Sequence, residues 1–263
     1  MITSTSNVKV KRLVTLRKKR KARDEEGVFW VEGLRLFCEV PTEIIKEVYV
    51  SESFCQKEHK ILDGVRNDSR VRAEVLSDHV YSYVSDTKNP QGVLCVVGQM
   101  KYDVEEMLQG ECPHLVVLDN LQDPGNLGTI VRTCEAAGVT GVILSRDCVD
   151  IYNPKTIRST MGSIFRVPFS YVRDMGETLD VLKQHGICTY AAHLKGRCAY
   201  DEEDYRKPCA FLIGNEGRGL RDAVADKAQV YVRIPMEGEV ESLNAAVAAT
   251  VLTFEAARQR RHG

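Results

Sequence analysis

The stretch that decides the fold is RIPMEGEVESLN at residues 233–244, which continues as AAVAATVLTFEAARQRR at 245–261. The run VYVRIPM at 230–236 is apolar and rich in β-branched residues, as a buried strand is. Pro235 has no N–H to donate to a sheet, and Gly238 tolerates backbone angles that other residues avoid. The strand is therefore predicted to end in a short loop that leads straight into the next element.

A helix is predicted to follow over 242–261. Ser242 or Glu241 is its predicted N-terminal cap, and Asn244 falls in its first turn. Larger side chains recur at helical spacing and form one apolar stripe, at Leu243, Val247, Thr250, Val251 and Phe254. The remaining faces carry small side chains, at Ala245, Ala246, Ala248 and Ala249. Small residues on several faces predict a helix that packs closely against more than one neighbour.

Composition sets the broad class of the protein. The chain has 263 residues, 43% hydrophobic and 28% charged, as in globular proteins with one large domain or two small ones. No apolar run approaches the roughly 18 residues of a membrane helix, and no apolar signal core is present. The nine cysteines are scattered without a C-x-x-C pair, which predicts reduced thiols in a cytoplasmic protein and no metal site.

Charge is unevenly distributed along the chain. The net charge is −1, yet nine lysines and arginines lie between Lys9 and Arg23 with no acidic residue among them. This basic arm on an acidic body predicts a polyanionic partner. Two other interpretations stay open: a solvated helix face, and a mitochondrial transit peptide, since the first residues are rich in Ser and Thr.

The first part of the chain alternates between strand and helix patterns. Strands are predicted at 27–33, 47–50, 72–76 and 92–98, and helices near 8–22, 34–40, 55–66 and 78–85. Residues 99–112 interrupt the alternation and are predicted to be a linker that can still hold a short helix.

The second part alternates more strictly. Strands are predicted at 114–120, 141–145, 167–172, 187–194, 209–214 and 230–236, and further helices near 127–137, 154–163, 176–185 and 219–226. Short apolar strands between helices predict an α/β fold with a parallel sheet covered on both faces. Such sheets bind ligands beyond the carboxyl ends of their strands, so the strand-to-helix junctions are the candidate sites.

One such junction is DNLQDPGNLGTIVRTCEAAG at 119–138. Asn126 is its predicted helix cap, because short polar side chains accept the first free N–H groups. Gly128 and Arg132 are four residues apart and share a helix face, which leaves room for a phosphate or a backbone beside the cation. The alternative is an ordinary exposed arginine.

Another junction is FLIGNEGRGL at 211–220, where three glycines follow a buried strand. Glycine permits positive φ and close backbone contact with a ligand. The spacing is neither G-x-G-x-x-G nor a P-loop. Because Glu216 lies inside the loop, a neutral or cationic ligand is favoured over a phosphate there. The alternative is a tight loop without a ligand.

Taken in order and spacing, these three stretches resemble the motifs of the SPOUT superfamily, in its SpoU/TrmH branch of RNA ribose 2′-O-methyltransferases. NLGTIVRTCEAAG resembles the first motif, IGNEGRGL the second and IPMEGEVESLNAAVAATVLTFEA the third. The resemblance covers residues 113–261 and implies a methyltransferase domain at 113–263. Residues 1–105, with VKVKRLVTLRKKR and FWVEGLRL, resemble the smaller RNA substrate-binding domain of such enzymes, which is similar to ribosomal proteins.

The resemblance implies a deep trefoil knot in the C-terminal domain, a homodimer formed through it, and S-adenosylmethionine as the methyl donor. The implied cofactor-binding residues are Gly214, Ile234, Leu243, Met236 and Glu216. Arg132 is implied to act at the site of the other protomer, as a base or as an electrostatic stabiliser. The other implied active-site residues, which position or hydrogen-bond the substrate, are Asn126, Glu216, Ser242 and Asn244.

The implied reaction is methyl transfer to a ribose 2′-hydroxyl, with ribosomal RNA favoured as the substrate and a guanosine in 23S rRNA as the suggested target. The basic arm would contact RNA phosphates, through Lys11, Arg12, Arg17, Lys18 and Arg20. Neither a metal nor a membrane is expected as a partner. The alternatives are a tRNA methyltransferase, a non-catalytic RNA-binding or ribosome assembly factor, and a nicotinamide-dependent enzyme, which the absence of G-x-G-x-x-G disfavours.

Overall fold

The computed structural model describes residues 1–57 and 72–262 of the chain. Within those ranges no helix combines the length and the apolar character that crossing a bilayer requires. Contacts divide the chain into two compact units, Met1–Met100 with Tyr152–Phe165, and Lys101–Ile151 with Arg166–Gly263. The grouping of Tyr152–Phe165 with the first unit differs from the single domain boundary that the sequence suggested.

Tyr152 shows why this segment belongs to the first unit. Its ring centroid lies 4.4 Å from that of Phe29. Its hydroxyl accepts a hydrogen bond from the N–H of Met100 and donates one to the carbonyl of the same residue, both at 2.9 Å. Arg158, on the helix that follows, donates to Asp86 at 2.7 Å. Aromatic packing and charge pairing across more than 50 residues are invisible to a local pattern, which is why the sequence missed this grouping.

The first unit is built on a mixed four-stranded sheet. Its strands are β1 (Val28–Glu32), β2 (Ile45–Ser51), β3 (Arg72–Leu76) and β4 (Val93–Gly98), in the order β1-β4-β2-β3. The pair β2–β3 is parallel, and β4 runs antiparallel to β1 and β2. Its helices are α1 (Val8–Lys18), α2 (Arg20–Glu26), α3 (Leu34–Glu39), α4 (Glu52–Lys57), α5 (Asp78–Val84) and, from the inserted segment, α8 (Pro154–Thr160). Most of the predicted helix at 55–66 lies outside the described residues.

The basic arm is two helices and part of the core. The predicted helix at 8–22 breaks at Lys19, whose extended backbone (φ −117°, ψ 115°) separates α1 from α2. Val10, Leu13 and Leu16 are fully buried against the sheet, and their spacing of three residues puts them on one face of α1. A segment that supplies core residues does not fit a removable transit peptide.

Several cations of this arm are neutralised within the first unit. Arg12 donates to both oxygens of Glu47 at 3.0 Å and to Glu26 at 2.8 Å. Arg17 donates to the carbonyl oxygens of Val84 and Ser85. Lys9 pairs with Glu74, Arg20 with Asp24, and Lys21 with Glu25. The sequence showed no acid within the arm, but the fold supplies acids from outside it. Lys11 and Lys18 remain exposed.

The second unit holds a seven-stranded sheet in which every paired strand is parallel, as predicted. Its order is β7-β6-β5-β10-β8-β11-β9. The strands are β5 (His114–Leu118), β6 (Gly141–Ser145), β7 (Phe169–Val172), β8 (Cys188–Ala192), β9 (Cys198–Ala199), β10 (Cys209–Ile213) and β11 (Val230–Arg233). The helices are α6 (Val104–Met107), α7 (Pro124–Ala136), α9 (Met175–Gln184), α10 (Asp222–Ala225) and α11 (Ala245–His262).

The last helix, α11, buries mainly small side chains, together with Leu252. It packs against α7 and β10. Its buried face is Ala245, Ala246, Ala249, Leu252, Thr253 and Ala256. Val247 and Phe254 of the predicted apolar stripe are 47% and 39% exposed. The alanines therefore serve close packing, as predicted, but Val247 and Phe254 of the apolar stripe face outward on this chain.

Arg260 anchors the end of α11 to the start of the sheet. Its guanidinium donates to the carbonyl oxygens of Tyr205 and Lys207 at 2.9 Å and of Cys112 at 3.0 Å. It also reaches the carbonyl of Pro113 and the Sγ of Cys209, both at 3.3 Å. One side chain thus satisfies backbone carbonyls from two separate segments.

Arg260→Ala should lower the free energy of unfolding of the second unit by about 3 kcal/mol, because several half-buried acceptors lose a charged donor together. Hydrogen exchange of β10 and α11 amides measures this loss. Arg258→Ala is the matched control, since the half-exposed Arg258 pairs with Glu255 on its own helix, and its loss should cost less than about 1 kcal/mol. Equal losses in the two variants would contradict the anchoring role.

Candidate functional site

A cavity of about 610 Å³ opens at the carboxyl ends of β8, β10 and β11. These strands are neighbours in the sheet, so the loops that follow them meet at one edge. The cavity is lined by all five residues predicted to bind the cofactor, Gly214, Glu216, Ile234, Met236 and Leu243, and also by Ser242. Its volume lies within the range of small-molecule sites.

The loop after β10 forms one wall of the cavity. The backbones of Asn215 and Gly219 exchange hydrogen bonds at 3.0 and 2.9 Å, which closes the loop. The side-chain oxygen of Asn215 accepts from the N–H groups of Gly217 and Arg218, at 3.0 and 3.1 Å. A Cβ on Gly214 would lie 2.1 Å from backbone atoms of Gly219 and its neighbour. Glycine is therefore required at 214 by the loop itself, in addition to any contact with a ligand.

Glu216 fastens this loop to the one after β5. Its carboxylate accepts from the N–H groups of Gln122 and Asp123, at 3.1 and 2.8 Å, and from the side-chain amide of Asn126 at 3.1 Å. Partial burial raises the pKa of Glu216, but the hydrogen bonds from Asp123, Gln122 and Asn126 outweigh it and hold the pKa below its ordinary value. The carboxylate is thus a fixed anion near neutral pH.

Asn244 extends this network to the third loop. Its amide nitrogen donates to the side-chain oxygen of Asn126 at 3.0 Å. Asn244 and Asn126 are 118 positions apart, and Asn126 and Glu216 are 90 apart. Three of the predicted active-site residues, one from each motif, therefore form a continuous hydrogen-bond chain.

The helix caps differ from the predicted ones. Asp123 caps α7 by accepting from the N–H of Asn126, whose own side chain remains available for Glu216 and Asn244. The predicted cap at Ser242 or Glu241 is replaced by Asn244, whose side-chain oxygen accepts from the N–H of Ala246 at 2.8 Å. Pro124 explains the first change, because proline favours the first helical position after a cap.

The geometry does not bring Arg132 into this network. Arg132 is exposed on α7, and in the described parts of the chain its guanidinium makes no hydrogen bond or ion pair. Ser242 lines the cavity and is exposed, likewise with no side-chain hydrogen bond within residues 1–57 and 72–262. Two of the five predicted active-site side chains are thus presented outward, where another molecule can reach them.

Sequence reasoning missed an ion pair between a buried carboxylate, Asp119, and the exposed Arg221. Asp119 is fully buried directly after β5, and it accepts from the backbone N–H of Arg221 at 3.1 Å and from its Nε at 2.9 Å. Arg221 also reaches Asp147, after β6, at 3.0 Å. The pair holds the loops after β5 and β10 together from below. The sequence feature that could have predicted this ion pair is a carboxylate directly after a buried strand.

Glu216→Gln should destabilise the second unit by about 1 kcal/mol at pH 7, because the amide cannot accept all three hydrogen bonds. The folded pKa of Glu216 is depressed below its ordinary 4.5, so this stabilisation is complete above about pH 4.5 and is lost as the pH falls through the folded pKa. Thermal unfolding at pH 7 and pH 3 measures the difference. Glu237→Gln is the control, and a constant difference across pH for Glu216→Gln would refute the assignment.

The residues present fit a cofactor such as S-adenosylmethionine. The cavity combines apolar walls from Ile234, Met236 and Leu243 with backbone groups of the glycine loop. Its carboxylates, Glu216 and Glu241, suit the positive charge of a sulfonium. Among the described residues no group of histidine, cysteine and carboxylate side chains could hold a metal ion.

Comparisons with known proteins agree with this geometry. The SpoU rRNA Methylase family matches residues 113–254, and the MRM3-like substrate binding domain matches residues 7–95. The 23S rRNA (guanosine(2553)-2'-O)-methyltransferase RlmP of Bacillus subtilis is 34% identical over 96% of this chain and 97% of its own.

Two solved structures with bound S-adenosylmethionine are also similar. The SpoU methyltransferase AviRb from Streptomyces viridochromogenes has a TM-score of 0.88 at 28% identity, and covers 98% of this chain and 99% of its own. An rRNA methyltransferase from Sinorhizobium meliloti has a TM-score of 0.85 at 31% identity, covering 99% and 97%. With its three motifs joined around one cavity, the chain belongs to the SpoU rRNA methylase family, the S-adenosylmethionine-dependent RNA 2′-O-methyltransferases.

Proposed function

We propose that this enzyme methylates the ribose 2′-hydroxyl of a guanosine in 23S ribosomal RNA. The observation that carries the proposal is the similarity to the Bacillus subtilis enzyme of that specificity, which extends over nearly the whole of both chains. The substrate-binding domain is therefore included in the likeness along with the methyltransferase domain. Other relatives are named only as tRNA/rRNA methyltransferases, so tRNA is the alternative substrate.

Five residues would hold the cofactor: Gly214, Ile234, Met236, Leu243 and Glu216. S-adenosylmethionine supplies a methyl group that its sulfonium has already activated. The apolar side chains exclude water from the cavity, and the Gly214 backbone allows close approach because it carries no Cβ. Glu216 keeps the glycine loop in place through Gln122 and Asp123.

The protein's own task is to align the 2′-hydroxyl and to accommodate its proton. Asn126 and Asn244 form a rigid amide pair, anchored on Glu216, that would position the ribose. Ser242, at the cavity wall, would hydrogen-bond the substrate. Arg132 would bind the adjacent phosphate and stabilise charge that develops on the 2′-oxygen, because a guanidinium is not deprotonated under ordinary conditions.

Arg132 would act at the site of a second protomer in a homodimer built on the knotted domain. Two features support this arrangement. The guanidinium has no partner within the described part of its own chain. Next to its helix, α11 exposes Val247 and Phe254, an apolar face that a second copy would cover. The proposal includes a trefoil knot in the methyltransferase domain.

The test is to map ribose methylation in total RNA from cells with and without the gene. The expected result is one lost mark on a guanosine of 23S rRNA, restored by the wild-type gene and not by Arg132→Ala. A lost mark in tRNA, with rRNA unchanged, would replace the rRNA proposal by the alternative. Purified enzyme with 23S rRNA, 16S rRNA and tRNA transcripts provides the same comparison without the cell.

A further inference from the structure

Four cations follow the strands whose ends border the cavity, and none has an acidic partner among the described residues. Arg218 follows β10, Arg233 ends β11, and Lys195 and Arg197 lie in the segment after β8. All four are exposed, and within the described ranges none of their side chains makes an ion pair or a hydrogen bond. We call these four residues the basic rim. Arg218 and Arg233 line the cavity itself.

Several other arginines of the described chain are paired with carboxylates. This holds for the arginines at 12, 17, 158, 166, 206, 221 and 258. The basic arm, which the sequence favoured for RNA contact, is partly neutralised in this way, at Arg12 and Arg17 among others. The basic rim differs from these arginines in having no carboxylate partner among the described residues, and it lies beside the cavity, where the reacting ribose has to arrive.

The topology places the basic rim along one line of the sheet. β10, β8 and β11 are consecutive neighbours, and all run parallel. Their carboxyl ends therefore lie side by side, roughly 5 Å apart per strand. Cations that follow three adjacent strands form a strip rather than a point. A strip of positive charge matches a polyanion better than it matches a single carboxylate.

The loop between β11 and α11 carries charge of the other sign. Glu237, Glu239 and Glu241 lie in the loop between β11 and α11, and Glu241 lines the cavity. None of the three pairs with the basic rim in the part of the chain that the structure describes. These charges would attract a phosphate backbone to the basic rim and repel it from the acidic loop, which favours the basic rim as the place where the strand lies.

We propose that the basic rim holds the phosphates of the RNA strand next to the methylated nucleotide. This inference rests on the proposed function in that the polyanion is the enzyme's RNA substrate. It adds substrate contacts at Lys195, Arg197, Arg218 and Arg233, on the methyltransferase unit rather than on the basic arm.

The test measures RNA affinity against salt concentration for wild type, Arg218→Ala/Arg233→Ala and Lys195→Ala/Arg197→Ala. The probe is a fluorescein-labelled single-stranded oligouridylate, which reports phosphate contacts without sequence recognition. Each lost contact should reduce the salt slope by about 0.7, so each double variant should lose about 1.4. Between ~50 and ~200 mM salt, wild-type binding should then weaken about 7-fold more than that of either variant.

Arg206→Ala/Arg258→Ala is the matched control, because it also removes two positive charges, from arginines that pair with Asp204 and Glu255. It should leave the salt slope unchanged. Calorimetry with S-adenosylhomocysteine serves as the second arm, and both double variants should bind it as the wild type does. This second measurement also establishes that the variants are folded.

Two results would overturn the proposal. A loss of S-adenosylhomocysteine affinity with an unchanged salt slope would mean that Arg218 and Arg233 hold the carboxylate of the cofactor. Unchanged values in both arms would mean that the basic rim is only solvated. Failure of the proposed rRNA specificity would give a different result. Methylation would then be found in another RNA, while the salt slope for oligouridylate would still be smaller in the two double variants than in the wild type.

Discussion

Arg132→Ala should lower the rate of methyl transfer by about 100- to 1,000-fold while S-adenosylhomocysteine affinity stays within about 2-fold of wild type. The guanidinium is exposed on α7 and absent from the walls of the cavity, so its removal leaves the cofactor site intact. Single-turnover methylation of 23S rRNA measures the rate, and calorimetry measures the affinity. Arg173→Ala removes the same charge from an exposed position outside the site and is the control.

Arg132→Lys separates the two possible roles of the side chain. If Arg132 acts through charge, the lysine variant should retain part of the activity that alanine loses. A rate as low as that of Arg132→Ala would instead favour a role that needs the guanidinium group itself. If alanine left the rate unchanged, the assignment of Arg132 to the reaction would be wrong.

Mixing two inactive variants tests whether Arg132 serves the partner's site. In Leu243→Arg the cofactor cavity is blocked, and in Arg132→Ala the cavity is intact. After equal mixing and re-association, half of the dimers contain one chain of each kind, and each such dimer has one complete site if Arg132 acts across the interface. About a quarter of the wild-type activity should return. No recovery in verified mixed dimers would place Arg132 at the site of its own chain.

Gly214→Ala should weaken S-adenosylhomocysteine binding by about 100-fold, or roughly 2.7 kcal/mol. The new Cβ would lie 2.1 Å from backbone atoms of Gly219 and Leu220, and 2.4 Å from the carbonyl oxygen of Gly219. Backbone cannot rotate away as a flexible side chain can, so the loop has to open and break its paired hydrogen bonds between Asn215 and Gly219. Calorimetry measures the affinity, and thermal unfolding measures the strain.

Gly217→Ala is the matched control for this prediction. It lies in the same loop, and an added Cβ would meet only the Asn215 side-chain oxygen, at 3.8 Å. Its binding affinity should stay within about 3-fold of wild type, since ordinary van der Waals contact costs little. Equal losses at both positions would mean that the loop needs general flexibility, and the specific clash at Gly214 would not be the cause.

The sequence alone was sufficient for the parts of this protein that depend on local pattern. Alternating apolar strands and helices predicted the parallel sheet of the second unit. Pro235 and Gly238 marked the loop before α11 correctly. The residues that line the cavity were also named from the sequence, through the resemblance of three short motifs to one family. Periodicity and turn chemistry involve residues only a few positions apart, so they can be recognised in the sequence alone.

Tertiary structure alone decided how distant residues pair. Acids from outside the basic arm neutralise Arg12, 35 residues from Glu47. The face of α11 that packs against α7 and β10 determines which face is exposed. Small residues occupy the packed face because they let α11 lie closer to α7 and β10. The chain from Asn244 through Asn126 to Glu216 joins positions 118 and 90 residues apart. Such contacts depend on the path of the folded backbone, because a hydrogen bond forms only where two groups come within about 3 Å, and sequence spacing carries no record of that distance.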